Sequence, residues 1–526
     1  MSGPSGKEER SKLAARAGVV GAGTLASRVL GLGRDMALAA VFGRAETDAF
    51  FVAFTIPNAL RQLLGEGAVS SAVVPVLGRT LEQKGDEAGK AFFARVRGVS
   101  LALLALVTVL GVAFARPLCA LFAGGYEGEE LERTVLLTRV VFPYIFFMGT
   151  AALGMAALNA KRRFAVAAFA PGLLNVAFLA VAFLLPGPLE RAGIDRSVAI
   201  AVSALVGGAL QVIAQWPSLR AIGFFGRPKL DLSDPDVRDV LRRMGPMMFG
   251  IGVYYIDLIV SRRFLSELGT GAQSYFSWAM RLCDFPQGIF VMAISTAALP
   301  SLATLAARGE TLEVAKTWAH GLRLALFVAI PCSVALALLG EPVVTTLFVR
   351  GQFHQLAAHE TARSLAWQGG AIWTVAAVRQ VVPVFYALGD TRTPVLVSAV
   401  DLVAFVVLAV LLRGPMGHAG ISAAVAGSSF VQMALLLAAL RRKLGTLMFG
   451  EIGPSAARTL VASIAGAAAG FFTARAAPGP RWVPGLAATV AFGAAFVVVA
   501  ALVRSQELAS ISGGLKRRLA RAAGRS

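Results

Sequence analysis

Charged side chains interrupt two apolar stretches near the start of the chain. Arg28, Arg34 and Asp35 lie in the first stretch, and Arg61 and Glu66 lie in the second. A charge at bilayer depth costs free energy unless it faces a polar cavity or a partner of opposite sign. Guanidinium groups stay charged and donate two parallel hydrogen bonds, which suits them to phosphate. The three arginines therefore predict a cavity that binds an anion.

Local ion pairing is the alternative in both stretches. Asp35 lies seven residues after Arg28 on the same helical face, and it directly follows Arg34. A pair with either arginine would only stabilise packing, and it would leave the other arginine uncompensated. Arg61 can pair in the same way with Glu66.

Two more arginines lie in apolar sequence of the second half. Arg281 precedes Asp284 by three residues, so a self-contained pair is the alternative to ligand binding. Arg379 either joins the same anion site or pairs with an acid such as Asp390. The residues alone leave both choices open.

Asp257 and Asp401 are isolated acids within apolar sequence. A lone carboxylate in such surroundings should be protonated, paired or bound to a cation. We therefore expect the two acids to share a Na⁺ or H⁺ coupling site. The alternative is a structural role as protonated or hydrogen-bonded acids. No other cofactor is expected.

The elements that carry these residues are predicted to be membrane-spanning helices. Of 526 residues, 56% are hydrophobic and 15% are charged, and the mean hydropathy is +0.70. Apolar runs long enough to cross a bilayer recur along the chain, which predicts an all-α polytopic membrane protein. Fourteen transmembrane spans are predicted, at residues 17–42, 48–77, 98–115, 134–158, 164–186, 197–223, 240–264, 270–303, 319–340, 360–388, 393–412, 418–440, 456–474 and 482–503.

The distribution of basic residues predicts the topology. Lysines and arginines are concentrated in the N-terminal tail, in the connections after spans two, four, six and twelve, and in the C-terminal tail. By the positive-inside rule both termini lie in the cytoplasm. The polar, basic start shows no cleavable signal peptide, so the first span is expected to act as the targeting signal. The net charge of +20 is assigned to these loops rather than to nucleic-acid binding.

The sequence does not predict an enzyme. The three cysteines are scattered, and the four histidines form no ligand cluster. The chain has no GxxxxGK[ST] phosphate loop, and no Ser–His–Asp set is evident.

An internal repeat relates the two halves of the chain. In each half two prolines lie 42 residues apart, Pro75 and Pro117 in the first and Pro300 and Pro342 in the second. Repeats that start on the same side indicate a parallel duplication, which is a transporter architecture. Arg61 and Arg281 then hold related positions before Gly or Pro segments that distort the helix. We expect both to point into one cleft between the halves.

The predicted organisation follows from the spans and the repeat. It comprises an N-terminal tail (1–16), a first six-helix lobe (17–225), a linker (226–239), a second pseudo-symmetric six-helix lobe (240–445), a C-terminal helix pair (446–504) and a basic tail (505–526). The basic tail is expected to contact anionic lipid or to serve only as a topology signal.

Several segments carry a family resemblance: SRVLGLGRDMALAAVFG, TDAFFVAFTIPNALRQLLGEGAVSSAVVPVL, RLCDFPQGIFVMAISTAALPSL, FPYI and FAPGLLN. They resemble the MurJ (MviN) family of lipid II flippases, within the multidrug/oligosaccharidyl-lipid/polysaccharide exporter superfamily. The resemblance runs over nearly the whole chain. It implies fourteen helices, with the last pair (446–504) forming a groove for a lipid tail.

The resemblance also implies residue roles. The substrate-binding arginines would be Arg28, Arg34, Arg61 and Arg281, with acidic cavity or gating residues at Asp35, Asp48 and Glu66. Asp257 and Asp401 match the acids of a sodium site described for the family. Val397 stands near the position of an expected amide ligand, and Met280 stands where a polar residue is expected.

We therefore expect a flippase that moves lipid II, an undecaprenyl-pyrophosphate-linked peptidoglycan precursor, across the bacterial cytoplasmic membrane by alternating access. Expected partners are lipid II, membrane lipids and cell-wall synthesis proteins. One alternative is an exporter of another lipid-linked glycan or of a cationic drug, although a drug exporter should have a net acidic cavity. The alternative from another class is a non-transporting scaffold in cell-wall assembly, which needs no intramembrane arginines.

Overall fold

The computed structural model describes residues 6–61, 68–161 and 163–510, without the side chains of 6–22, 24, 68–71, 164, 165, 167, 168 and 245–255. Glu66 and most of the basic tail therefore lie outside the described residues.

The described residues form α-helices and no β-strand. In chain order the helices are α1 (Gly6–Val41), α2 (Arg44–Arg61), α3 (Ala68–Ala113), α4 (Ala115–Phe122), α5 (Gly128–Val141), α6 (Tyr144–Ala160), α7 (Phe164–Leu184), α8 (Pro186–Arg191), α9 (Val198–Ala221), α10 (Pro235–Ser266), α11 (Ala272–Pro286), α12 (Met292–Ala307), α13 (Thr311–Leu338), α14 (Gly340–Phe348), α15 (Gln355–Gly370), α16 (Ile372–Ala387), α17 (Arg392–Met416), α18 (His418–Leu444), α19 (Phe449–Ala476) and α20 (Val483–Leu502).

A helix lies at each of the fourteen predicted spans, so the prediction of an all-α polytopic protein is confirmed. Ten segments of the described chain are long and apolar enough to cross a membrane by length and composition. Within the described residues three spans are broken. Span four joins α5 to α6, span eight joins α11 to α12, and span ten joins α15 to α16.

Local sequence explains these breaks. The break between α5 and α6 falls at Phe142–Pro143, where proline offers no backbone N–H. Within α3 the helix turns at Gly85, whose φ of 83° is accessible mainly to glycine. Between α11 and α12 the chain forms a π-helical turn over Gln287–Val291, directly after Pro286.

The order of elements repeats as the sequence predicts. In the first half, the part of α3 after Gly85 is followed by the short α4, the broken pair α5–α6, then α7 and α9. In the second half, α13 is followed by the short α14, the broken pair α15–α16, then α17 and α18. The extra pair α19–α20 comes after this second series.

The chain divides into two compact units, Met1–Gln273 and Ser274–Ser526. Apolar side chains of α3, α6 and α10 form a buried cluster in the first unit, and those of α13, α16 and α18 form one in the second. Helix α10 thus packs within the first unit, although it begins the second predicted lobe. The lobe boundaries themselves stay a prediction.

Residues 226–239, the predicted linker, are held along α3. Arg95 Nη1 lies 2.7 Å from Asp234 Oδ2, and Lys84 Nζ lies 3.0 Å from Asp236 Oδ2. The backbone N–H of Lys229 donates to the carbonyl of Ala94 at 2.9 Å. We call this arrangement of 226–239 on α3 the linker clasp.

Candidate functional site

Arg34 lies at the centre of a polar cluster in the first unit. Its Nε and Nη2 donate to Asp35 Oδ1 at 2.9 and 2.7 Å, and its Nη1 donates to Asn175 Oδ1 at 3.0 Å. The guanidinium carbon lies 5.4 Å from the centroid of the Phe178 ring. The structure therefore shows the ion pair between Arg34 and Asp35. The charge of Arg34 is compensated while its guanidinium keeps further N–H groups.

Asn175 connects α7 to α1. Besides accepting from Arg34, its Nδ2 donates to the carbonyl of Ser27 at 2.8 Å, and the residue is 5% exposed. Gly31 lies beside this amide, and a Cβ at that position would make an ordinary van der Waals contact of 3.7 Å with Asn175 Nδ2. The sequence alone does not give Asn175 a role. An amide within the apolar helix FAPGLLNVAFLAVAFL was the available signal.

The other two predicted arginines of the first unit lie on α1 and α2. Arg28 is half-buried, one and a half turns before Arg34. Arg61 ends α2, one turn after Pro57, and its Nε donates to Asn58 Oδ1 at 3.0 Å. The proposed Arg61–Glu66 pair cannot be placed, since Glu66 lies outside the described residues.

Phe178 of α7 packs against both arginine-bearing helices, α1 and α2. Its ring lies beneath Arg34 of α1 and meets the rings of Phe50 and Phe54 of α2 edge-on, with centroids 5.9 and 6.4 Å apart. Edge-to-face ring pairs stabilise such contacts beyond simple burial. Helix α7 therefore sets the position of α1 relative to α2.

Asp48 is buried near the start of α2, where it is 3% exposed. Its Oδ2 accepts from the backbone N–H of Gly271, in the turn that precedes α11. Arg262 lies on α10 just before this turn and is also 3% exposed, with Nη1 donating to Gln273 Oε1 at 2.8 Å. Basic residues near a helix end commonly extend to the membrane surface, but this side chain is buried and hydrogen-bonded.

Arg281 lies on α11 in the second unit, five residues before Pro286. The predicted distortion after it is confirmed by the π-helical turn. Such turns are rare and frequently mark functional sites. This turn is tied to α16, because Gln380 Nε2 donates to the carbonyl of Val291 at 3.0 Å.

Arg379 is half-buried on α16, next to Gln380. Its backbone carbonyl accepts from the Ser295 hydroxyl at 2.9 Å. The alternative pairing with Asp390 is not found, because Asp390 lies 2.9 Å from Lys443 Nζ instead. Among the described residues the Arg379 guanidinium forms no ion pair, which keeps it a candidate for anion binding.

The two predicted ion-site acids fall in different compact units, Asp257 on α10 and Asp401 on α17. The Ser428 hydroxyl of α18 faces Asp401, so this helix pair offers two oxygen ligands of the kind that hard cations prefer. Val397, near the position of the expected amide ligand, packs against the apolar core. In the described part of the chain, no three His, Cys, Asp or Glu residues are grouped to hold a metal.

A Ser–His–Glu arrangement that the sequence does not reveal lies in the second unit. His418 Nδ1 lies 2.7 Å from Ser364 Oγ, and His418 Nε2 lies 2.9 Å from Glu360 Oε2. The three residues are separated by up to 58 positions, so no local spacing reveals them. Ser364 is fully buried, which denies a substrate access to its hydroxyl. The arrangement joins α15 to α18.

A long apolar cavity of about 650 Å³ also lies in the second unit. Helices α13, α16, α18 and α19 contribute its lining, with Leu326, Trp373, Leu437 and Leu460 among the side chains. Helix α20 does not line it, because α20 packs against α13 and α19 through Phe492 and Phe496. The predicted groove of the last helix pair stays a prediction.

Solved structures of transporters share this fold. An inward-facing multidrug resistance MATE family transporter of the MOP superfamily aligns with a TM-score of 0.69 at 15% identity, covering 80% of this chain and 95% of the transporter. A lipid II flippase MurJ in an inward closed conformation aligns with a TM-score of 0.76 at 21% identity, covering 92% and 98%. The chain thus has a transporter fold.

Sequence comparison identifies the family. The profile described as "Lipid II flippase MurJ" matches residues 38–492. The lipid II flippase MurJ of Burkholderia cenocepacia is 34% identical over 80% of this chain and 82% of its own length. A probable lipid II flippase MurJ of Vibrio cholerae is 34% identical over 80% and 81%. The chain belongs to the lipid II flippase MurJ family, and the resemblance seen in its motifs is confirmed.

Proposed function

We propose that this protein translocates lipid II from the inner to the outer leaflet of the bacterial cytoplasmic membrane by alternating access. Family membership over residues 38–492 is the observation that carries this proposal. Both termini would face the cytoplasm, in agreement with the basic loops. The chemistry is transport with no covalent step, and cell-wall synthesis proteins are the proposed protein partners.

Arg34 would contact the lipid-linked pyrophosphate directly. A guanidinium has five N–H groups, and three bonds to Asp35 and Asn175 fix its plane while two N–H groups remain for phosphate oxygens. Arg28, Arg61 and Arg281 would supply further positive charge, with Arg379 as an addition from the second unit.

Substrate binding would favour closure through these contacts. A ligand shifts a conformational equilibrium only by binding the two states differently. A phosphate bound to the two remaining N–H groups of Arg34 would compete with Asp35 for the charge of this guanidinium, so charge on the substrate would change how firmly Asp35 holds α1. Asp48 and Glu66 are proposed to act in the same gating step.

A complementation experiment tests the proposal. Arg28→Ala and Arg281→Ala should fail to support growth of a flippase-depleted cell while the variants still insert into the membrane. Arg220→Ala is the matched control, since Arg220 is an exposed arginine in the last turn of α9 and should remain functional. Normal growth with Arg28→Ala and Arg281→Ala would refute the assigned roles.

Transport itself needs a separate measurement. Purified protein in vesicles that contain lipid II should move it between leaflets, and the two arginine variants should lower the rate at least tenfold. Movement of lipid II at the wild-type rate by both variants would contradict the cationic site even if growth were impaired.

A further inference from the structure

A buried imidazole joins α15 to α18 near one end of both helices. His418 is the first residue of α18 and is 8% exposed. Its Nδ1 lies 2.7 Å from Ser364 Oγ and its Nε2 lies 2.9 Å from Glu360 Oε2. The predicted topology would place the start of spans ten and twelve on the outer side of the membrane. Arg363, which pairs with Glu360, is exposed, so this site lies close to water on that side.

Two basic side chains share one carboxylate here. Arg363 Nη1 lies 2.7 Å from Glu360 Oε2, the same oxygen that faces His418. With a neutral imidazole, Nε2–H donates to this carboxylate, Nδ1 accepts from the Ser364 hydroxyl, and Arg363 balances the charge of Glu360. A protonated imidazole adds a positive charge to a carboxylate that is already paired. A buried charge without a full partner costs free energy, so uptake of a proton by His418 should loosen the contact between α15 and α18.

The surrounding helices offer this imidazole no second carboxylate. Among the described residues, Glu360 is the one acid that pairs with His418. Tyr275 of α11 packs its ring against the imidazole, with centroids 5.1 Å apart, and Arg413 lies in the last turn of α17. The neighbouring imidazole of His359 is exposed and faces a carboxylate of α14 instead.

Polar contacts lead from His418 to α11. The Ser422 hydroxyl, one turn along α18, donates to the carbonyl of His418 at 3.3 Å. Gln368 Nε2 of α15 donates to Ser422 Oγ at 2.9 Å and to the carbonyl of Phe276 at 3.4 Å. The imidazole and this amide thus hold the first turns of α11, at Tyr275 and Phe276.

These contacts lie on the helix that carries a predicted substrate arginine. Arg281 follows Phe276 on α11, so a shift of the first turns of this helix also shifts the guanidinium. We propose that His418 is a positioning residue for Arg281, which binds a proton from the outer side and then loosens the hold on α11. Low pH on that side would therefore lower the affinity for lipid II where it is released. The part that concerns lipid II rests on the proposed flippase function.

Hydrogen exchange of the α11 backbone in the purified full-length protein tests the proton site without lipid II. At about pH 5.5, where imidazole is protonated, α11 should exchange about fivefold faster in the wild type than in His418→Gln. At about pH 7.5 the two proteins should agree. Comparison at equal pH removes the intrinsic effect of pH on exchange. His359→Gln is the matched control and should behave as the wild type, because this exposed imidazole faces Glu341.

Two further variants test the path of the effect. Arg363→Gln leaves the carboxylate of Glu360 to the imidazolium, so the acid response of α11 should diminish. Arg363 is exposed, so this variant should fold even if substitution of the buried His418 prevents folding. Gln368→Leu keeps most of the side-chain volume and removes the bond to Phe276, so α11 should exchange faster at both pH values.

Lipid II affinity tests the connection to Arg281. On acidification it should fall about fivefold more in the wild type than in His418→Gln, which also accounts for titration of lipid II itself. An α11 response without this difference in affinity would overturn the positioning role. Absence of lipid II binding at either pH would refute the proposed function and the role of Arg281, while hydrogen exchange would still decide the proton site.

Three exchange results would overturn the proton site. The first is the same α11 exchange in wild type and His418→Gln at both pH values. The second is a difference that does not change with pH, which would mark a purely structural effect. The third is loss of the acid response in His359→Gln. A full acid response in Arg363→Gln, or wild-type exchange in Gln368→Leu, would contradict the path from His418 to α11.

Discussion

At the scale of single residues, Arg34 illustrates how a charge is kept inside an apolar protein. Asp35 neutralises it, Asn175 fixes its orientation and Phe178 covers its face. Each contact uses a different property of the guanidinium: charge, planar donors and π-stacking. Arg34 and Asp35 therefore form a local ion pair, and the remaining N–H groups of Arg34 leave it available for the proposed anion site. The sequence had presented these two roles as alternatives.

Asn175→Ala should weaken lipid II binding without unfolding the protein. The change removes an acceptor from a charged donor, an interaction of about 1.5–3 kcal/mol, and it lets the Arg34 side chain rotate. Binding of lipid II to the purified protein should fall about tenfold or more, whereas Asn175→Gln should recover part of the loss. Ser203→Ala is the control, because this buried hydroxyl bonds only its own helix at Ala199. Wild-type affinity in Asn175→Ala would show that the amide only joins α7 to α1.

The sequence predicted Arg34 and Asp35 because both residues are anomalous where they stand. It did not predict Asn175 as the partner, since 141 residues separate the two. His418, Ser364 and Glu360 were missed for the same reason. Contacts between distant helices depend on tertiary packing, and apolar periodicity within one helix carries no information about them.

At the scale of elements, the predicted linker is the clearest difference. The sequence of residues 226–239 predicts a polar connection. In the structure, acidic residues of this segment form ion pairs with basic residues of α3. The sequence predicted the helices because each has an apolar face, but a segment held by ion pairs has no such pattern. The linker clasp makes the start of α10 part of the first unit.

Gly98→Ala should destabilise the linker clasp. A Cβ on Gly98 would overlap the backbone of Lys229, so the segment must move away from α3. Overpacking of this kind costs about 1–3 kcal/mol, and the thermal unfolding midpoint should fall. Gly78→Ala in the same helix is the matched control, because a Cβ there meets nothing within 4 Å. Alanine at Gly78 should be neutral or stabilising by up to about 1 kcal/mol. Equal midpoints for the two variants would show that the clasp is not packed against Gly98.

A second element-scale prediction concerns Glu507, which follows α20. Its Oε1 accepts from Arg323 of α13 at 2.6 Å and from Ser455 of α19 at 2.9 Å, so it ties these helices to the chain end. Burial alone would raise the pKa of this carboxyl. Hydrogen bonds from its own backbone N–H, Arg323, Ser455 and Ser505 outweigh burial, and the pKa is lowered from 4.5.

Glu507→Gln should lower the thermal unfolding midpoint at pH 7. A carboxyl whose pKa is lowered by folding contributes stability above its unfolded-state pKa of 4.5, and this contribution is lost as the pH falls through the folded-state value. The difference between wild type and variant should therefore shrink below about pH 4. Glu451→Gln is the control, since Glu451 is 53% exposed and 3.6 Å from Arg323, and exposed pairs contribute little. A difference that stays constant with pH would exclude the ionised carboxylate as its cause.

At the scale of the whole molecule, the repeat explains why the fourteen spans could be predicted from the sequence. It does not predict which ion drives transport. Two series of equivalent elements are visible as matched prolines in the sequence and as matched helix breaks in the structure. Asp401, which faces Ser428, lies on α17 in the second series. The equivalent helix of the first series is α7, which has no acidic residue, and its only polar residue is Asn175. The two halves thus share a fold and differ in their intramembrane chemistry. We therefore propose that ion coupling belongs to the second half.

The final prediction concerns that coupling. If Asp401 holds a Na⁺ or H⁺ that is released during transport, lipid II translocation into vesicles should depend on the gradient of that ion, and Asp401→Asn should abolish the dependence while leaving lipid II binding intact. Asp257→Asn tests the second predicted acid in the same assay. Ser428→Ala should weaken the ion dependence less than Asp401→Asn, because it removes a neutral ligand and keeps the charge. Asn175→Ala provides the converse control, since it should reduce substrate binding and preserve the ion dependence. A gradient response unchanged in both aspartate variants would exclude these acids as the coupling site, and the membrane potential acting on the cavity arginines would then be the proposed driving force.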